Sequence, residues 1–236
     1  MRLFHHPAAA PLADPWRDTF QVACAAAPPA DVQEPFLWAG DDRLELHFAP
    51  AAGSRRRGVW VDLAELQRRA RQGGGLLRAC GVRGGAAPSV LDVMAGAGVD
   101  GLVLAARGCR VTLIERQPAV SAMQQDLARR SGLTGVTCRH GDGFEALSAL
   151  PAHDVVYLDP MFPPRAKTAL PDKRLQMLAL LAEPDARPLS AWLEAALAHA
   201  GDRVVLKRRS KDPVLATPDW QIRGRTVRFD VYRSRR

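Results

Sequence analysis

No C-x-x-C pair occurs in this 236-residue chain; its four cysteines, Cys24, Cys80, Cys109 and Cys138, are scattered. That pattern excludes a zinc ribbon or a disulfide framework as the organising chemistry and leaves reduced, mostly buried thiols. No apolar run approaches the length of a membrane-spanning helix. The opening MRLFHHPAAAPLADPW lacks the continuous apolar core of a signal peptide, so a cytoplasmic protein is expected. His5-His6 has no third ligand nearby, and no metal is expected. Residues 1–35, rich in Ala and Pro, lack any clear periodicity and yield only short strands or loops. Charge is what the last segment does have. Residues 203–236 hold 11 Lys or Arg against 3 Asp or Glu, which equals the whole net charge of +8. A basic tail of this kind points to a polyanionic partner.

The stretch that organises the rest is Ser89 to Glu115, SVLDVMAGAGVDGLVLAARGCRVTLIE. Val90 to Met94 is an apolar run of strand length, and Ala95-Gly96-Ala97-Gly98 is a turn without bulk. Asp100 stands at a helix cap or first turn ahead of Leu102 to Ala106, which Gly108 ends. Cys109 to Ile114 is a second buried strand, closed by Glu115. Strand, glycine turn, helix, strand and terminal acid make the first half of a nucleotide-binding α/β fold. The turn can present backbone N–H groups to a ligand, and Glu115 can accept hydrogen bonds from both hydroxyls of a ribose. Gly96-Ala97-Gly98-Val99-Asp100-Gly101 also satisfies the G-x-G-x-x-G of dehydrogenases. Asp92 in the strand and Asp100 before the third glycine favour S-adenosylmethionine over a dinucleotide, because Asp100 would repel a pyrophosphate and not a sulfonium.

Upstream, Leu44 to Phe48 alternates at period two and Gly58 to Asp62 follows as a second strand, after a turn rich in arginine. A small β-rich subdomain is expected over 1–62. A helical connector over 63–88 contains Arg68-Arg69, a glycine run at 73–75 and a short helix from Leu76 to Cys80. The glycine run is a linker or a loop that a substrate approaches closely. Residues 89–236 form the main domain. Within it, Pro118 to Arg130 is a helix opened by proline, and Val136 to His140 is a strand. Asp142 follows that strand, placed to meet a ligand at the carboxyl edge or to cap the helix of Phe144 to Leu150. Helical patterns run over Lys173 to Ala182 and Ser190 to Ala200, the second with Ser190 as cap. Arg203 to Lys207, Trp220 to Arg225 and Thr226 to Tyr232 are the closing strands.

The second informative stretch is Asp154 to Pro164, DVVYLDPMFPP, a strand that runs into a stiff proline loop. Methylating an exocyclic amine requires its lone pair to be freed and aimed. A carboxylate can accept the amine N–H while an aromatic ring holds the base, and Asp159 and Phe162 have that chemistry. Arg165 and Lys167 follow, suited to a neighbouring phosphate.

Taken together, LELHF, GVWVDL, RRARQGGG, LDVMAGAGVDGLVLAARGCRV, LIER, VVYLDPMFPPRAK and RFDVY resemble one family over roughly residues 42–236. It is the bacterial small-subunit ribosomal RNA (guanine-N2-)methyltransferases of the RsmJ type. The resemblance implies a class I methyltransferase fold, Rossmann-like with a seven-stranded sheet. It also implies S-adenosylmethionine as cofactor and methylation of a guanine N2 amine in 16S rRNA of the small ribosomal subunit. By position, cofactor contacts fall on Val99, Asp100, Glu115, Arg116, Asp142, Gly143 and Asp159, beside Gly96 and Gly98 of the turn. The family commonly has arginine where this chain has Val99, which leaves a backbone contact there, and small hydroxyl residues where it has Asp142-Gly143. Asp159 and Phe162 take the catalytic roles. Arg165, Lys167, Lys207, Arg208 and Arg209 are the expected RNA contacts.

Two other readings carry different chemistry. An adenine-N6 methyltransferase would place proline or its equivalent where Met161 stands. A non-catalytic RNA-binding or ribosome-assembly factor would have no need of Asp100, Glu115 and Asp159 around a cofactor pocket. An NAD-dependent oxidoreductase lacks a hydride-site pattern in this sequence.

Overall fold

Alternation in the parallel strands explains the architecture. In a strand, successive side chains point to opposite faces, and here both faces are apolar. The computed structural model describes residues 1–49, 58–72, 74–85, 87–160, 181 and 185–234. The main sheet is built from β5 (Ser89–Asp92), β6 (Arg110–Glu115), β7 (Val136–His140), β8 (Val155–Leu158), β9 (Arg203–Arg209), β10 (Trp220–Arg223) and β11 (Val227–Arg233). Their order is β10-β11-β9-β8-β5-β6-β7. The five strands β5 to β9 run parallel, and β11 is antiparallel to both β9 and β10.

Val90, Val155, Tyr157 and Val205 pack on one side under α2 (Leu63–Gln72), α3 (Gly74–Ala79) and α4 (Val99–Ala105). Leu91, Val156, Leu158, Val204 and Leu206 pack on the other, under α6 (Gly143–Ala149) and α7 (Leu189–His199). Each fully buried leucine or valine contributes about 2 kcal/mol, so sandwiching the strands between helices fixes their register. The chain order reverses between β5 and β8. In open α/β sheets that reversal opens a crevice at the carboxyl ends of the strands, where ligands bind.

The opening of the chain forms its own sheet. β1 (Arg2–His5), β2 (Gln21–Cys24), β3 (Phe36–Ala39) and β4 (Leu44–His47) take the order β2-β1-β3-β4. A helical turn, α1 (Ala10–Ala13), lies between the first two strands. Each of these strands has only four residues, and of the four only β4 showed its alternation in the sequence. Leu3, Leu37 and Leu46 are buried with Ala119, Ala122 and Met123 of α5 (Pro118–Ser131). Buried Asp126 of α5 accepts the Leu44 N–H at 3.1 Å and holds Arg130, which also donates to the Val61 carbonyl.

Two local expectations need correction. Gly58 to Asp62 is not a strand: Val59 makes a single antiparallel bridge to Leu46, and Asp62 instead caps α2 by accepting the Ala64 N–H at 2.9 Å. Ser190 does not cap α7: the cap is Pro188, two residues earlier, with its ring-fixed φ of −65°. Arg228 and Asp230 share one face of β11. Arg228 and Asp230 are buried against each other at 2.8 Å, and Arg228 also donates to the carbonyls of Arg209, Ser210 and Pro213. The RFD sequence therefore clamps the chain that leaves β9.

Candidate active site

Two clusters of side chains line the carboxyl edge of the sheet, one at the β5–β6–β7 side and one at β8–β9. The first begins with the glycine turn. Gly96 (φ +53°) and Gly98 (φ +77°) take left-handed backbone, which a side chain would strain, and Gly98 is the N-cap of α4. Glu115 leaves β6 beneath this turn. Its carboxylate accepts the Gly96 N–H at 3.0 Å and the Gln117 N–H at 2.7 Å. Burial pushes the Glu115 carboxyl above its usual range, against the pull of those two N–H groups. Gln124 of α5 donates to the Gly96 carbonyl at 3.0 Å, while its buried Oε1 has no partner. Val99, half-buried, is the first residue of α4.

Asp142 caps α6, accepting the Phe144 N–H at 2.7 Å, so the cap reading holds. A Cβ on Gly143 would fall inside the van der Waals radius of the Val93 carbonyl oxygen. Glycine is therefore what lets the start of α6 close on the end of β5. The segment Asp185 to Arg187 covers this edge. Arg187 binds both oxygens of Asp142 and Asp185 as well, and its guanidinium lies 4.9 Å from the Phe144 ring centroid. Arg187 hydrogen bonds hold the Asp142 carboxyl below its ordinary range. Arg116 reaches the same Asp185 at 3.5 Å. Asp185 and Arg187 escape a reading of the sequence, since no motif surrounds them and their partners lie more than 40 positions away.

The second cluster centres on Lys207. Its ammonium bonds Asp100 Oδ2 and Asp159 Oδ2, each at 2.7 Å. Asp100 also accepts the Tyr157 hydroxyl at 2.8 Å and an Arg69 N–H at 3.3 Å. Burial pushes Asp100 up, but Lys207, Arg69 and Tyr157 outweigh it and hold the carboxyl low. Asp159, at the end of β8, stays raised to about 6: burial dominates, and the Asp100 charge adds to it against the pull of Lys207. Burial opposes the Lys207 charge as well, yet the two carboxylates keep it protonated above the ordinary lysine range. Asp92, buried beneath, is pushed well up by burial and by the charges of Asp159 and Asp100.

The expected residues therefore divide. Gly96, Gly98, Glu115, Asp142 and Gly143 gather along one side of the edge, and Asp100 and Asp159 along the other. Lys207, expected on the RNA-binding tail, is drawn into the second cluster by two carboxylates. Arg208 is half-buried and donates to the Pro213 carbonyl at 3.3 Å, and Arg209 ends β9. Phe162, Arg165 and Lys167 lie outside the described residues. Among the described residues, no group of three His, Cys, Asp or Glu side chains could hold a metal ion, and no helix is long and apolar enough to cross a membrane.

Comparison with known proteins decides the family. Residues 25–234 match the SAM_MT family, described as SAM-dependent methyltransferases. The chain belongs to that family. Its relatives include the ribosomal RNA small subunit methyltransferase J of Pseudomonas paraeruginosa, 37% identical over 92% of this chain and 88% of the relative. Another is the protein of the same name from Thioalkalivibrio sulfidiphilus, 42% identical over 66% of each chain. Among solved structures, a SAM-dependent methyltransferase from Neisseria gonorrhoeae superposes with a TM-score of 0.75. It is 29% identical, and the match covers 100% of this chain and 96% of that one.

The cofactor of this family is S-adenosylmethionine, and the residues present fit it. Among the described residues, nothing stands within 4 Å of where a Gly96 side chain would project, which leaves room for a ligand at the turn. A half-buried carboxylate, Glu115, sits beneath it for hydroxyl groups, and Gln124 Oε1, without a partner among the described residues, lies against the same turn.

Proposed function

We propose that this protein methylates the exocyclic N2 amine of a guanine in 16S rRNA of the small ribosomal subunit, working in the cytoplasm. Asp159 carries the reading: a half-buried carboxylate at the carboxyl end of β8, beside the point where strand order reverses, held by Lys207 at 2.7 Å. Curated relatives that match most of the chain bear the name of a small-subunit rRNA methyltransferase, which supports the substrate class.

S-adenosylmethionine, when bound, supplies an electrophilic methyl group. Gly96, Gly98, Glu115, Arg116, Asp142 and Gly143 would hold it, with Val99 contributing backbone. The lone pair of the guanine amine is delocalised into the ring and must be turned toward the methyl group. Ionised Asp159 accepts one amine N–H and fixes that orientation, a proximity and alignment effect. Phe162, three positions further along the sequence, would stack the base. Once the nitrogen carries a fourth bond it is cationic, and its extra proton leaves to Asp159 or to water. With its carboxyl raised to about 6, Asp159 is mostly ionised at neutral pH and is a competent proton acceptor.

The test is methyl transfer from labelled S-adenosylmethionine to small ribosomal subunits that lack the modification, followed by nucleoside analysis. Labelled N2-methylguanosine in 16S rRNA supports the reading. Label in N6-methyladenosine instead would overturn the choice of target atom.

A further inference from the structure

The Arg68-Arg69 and glycine pattern of the sequence has no part in the chemistry above, yet it builds one wall of a cavity of about 410 Å³. The cavity lies between α2–α3 and the β10–β11 hairpin, and Asp100 and Lys207 also line it. Its floor is apolar: Leu76, Val103, Ile222, Val227 and Phe229. Gly75 keeps that floor open, since a Cβ there would come within 3.3 Å of the Phe229 ring. Four arginines line the cavity, and they are not equivalent. Arg69 is committed to Asp100. Arg68, Arg78 and Arg223 are exposed and donate only to neutral acceptors, Gln72 Oε1, the Gly74 carbonyl and Gln221 Oε1. No ion pair joins these three to a carboxylate among the described residues.

We propose that this cavity receives the RNA strand flanking the target guanine, with Arg68, Arg78 and Arg223 on its phosphates and its bases or sugars over the apolar floor. The inference rests on the reading of Asp159 above and extends it to the substrate's path. Three uncompensated guanidinium groups around an apolar floor match a ligand that is anionic along one side and flat and apolar along the other. Single-stranded nucleic acid has that character, and arginine is suited to phosphate by its planar fork. Lys207, which lines the cavity, is bonded to Asp159, so a strand lying here would lead to the amine to be methylated.

The experiment measures binding of a fluorescent single-stranded RNA oligonucleotide to the full-length protein by anisotropy over a range of salt. Each of Arg68→Gln, Arg78→Gln and Arg223→Gln should reduce the slope of log K against log salt by about 0.7, the value for one phosphate contact on a single strand. The triple variant should bind about 100-fold more weakly at low salt, about 2.8 kcal/mol at 1.4 kcal/mol per tenfold. Affinity for S-adenosylmethionine, measured by calorimetry, should stay at the wild-type value, and Arg78→Lys with Arg223→Lys should restore most of the slope. Gly75→Leu, which fills the cavity without touching charge, should also weaken RNA binding.

Wild-type slope and affinity in the triple variant would overturn the proposal. So would an equal loss from Arg139→Gln on distant β7, because position would then not matter. Nucleoside analysis separates the two levels. If the wild-type enzyme makes no N2-methylguanosine but the cleft variants still flatten the slope, the cleft stands and the assigned reaction falls. If the triple variant methylates subunits with an unchanged KM, the cleft falls and the reaction stands.

Discussion

Replacing Lys207 by methionine removes one positive charge from between two carboxylates while keeping the length and much of the packing of the side chain. Two unit charges about 4 Å apart interact by about 4 kcal/mol at the effective dielectric of a protein site near solvent. Full loss of that attraction would raise the Asp159 carboxyl by about 3 pK units at 1.36 kcal/mol each. Asp159 keeps 27% side-chain exposure, so water screens part of the change. A rise of about 1.5 units is the working figure, from about 6 to ~7.5. If ionised Asp159 orients the amine, the acid limb of kcat/KM moves by the same amount. At pH 7 the ionised fraction then falls about fourfold, and at pH 8.5 it recovers to nearly the wild-type level.

The assay is methyl transfer to unmodified small subunits between pH 5 and 9, with Lys207→Arg as the charge-preserving control. An acid limb that stays near pH 6 while the rate drops uniformly would refute the electrostatic argument. Linkage gives the matching sign for stability. Because the folded-state pKa of Asp159 is raised, its contribution to stability is largest below about pH 4 and is lost as pH rises through about 6. In Lys207→Met that loss extends to about pH 7.5, which thermal melts across the range would register.

Three further outcomes are expected. Asp159→Asn should lower kcat by at least 100-fold while leaving S-adenosylmethionine binding within a few fold, because the amide keeps the shape but cannot take the proton; near-normal turnover would sink the catalytic role. Glu115→Gln should weaken S-adenosylmethionine by about tenfold through loss of a charge-assisted hydrogen bond, and calorimetry giving the wild-type affinity would remove Glu115 from the cofactor site. Gly143→Ala should cost about 3 kcal/mol by forcing a methyl group against the Val93 carbonyl, which for a chain of this size lowers Tm by about 6–12 °C; an unchanged melt would show that α6 can move off β5 freely.

What sequence made legible was local. Gly96 to Gly98, Pro118 and Asp142 act through their own backbone and immediate neighbours, so the turn, the helix start and the cap could be read directly. The seven-stranded sheet was an expectation from the family resemblance, and its strand order is seen in the fold. What remained hidden was long-range pairing of charge. Lys207 lies 107 positions from Asp100 and 48 from Asp159, and it looked like one more cation of a basic tail. Arg228 counted toward the basic tail, but its partner Asp230 and the carbonyls after β9 keep it buried. Part of the tail's positive charge is therefore spent inside the protein, and the net count overstates what it offers to a polyanion.

The same pairing explains how three acids share one edge of the sheet without repelling a substrate. Burial raises the Asp92 carboxyl well above its usual range, and the carboxylates of Asp100 and Asp159 are matched by Lys207 and Arg69. Methylating an amine makes that amine cationic until its proton leaves. On the proposed mechanism that new charge meets Asp159, the carboxylate that shares Lys207 with Asp100 and has the higher proton affinity of the two. A cluster with one more lysine would hold Asp159 as low as Asp100 and leave it a poorer acceptor. One with no lysine would leave Asp159 protonated at pH 7 and unable to orient the amine. A single lysine between two carboxylates sets the raised carboxyl at about 6, just below the pH at which the enzyme must work.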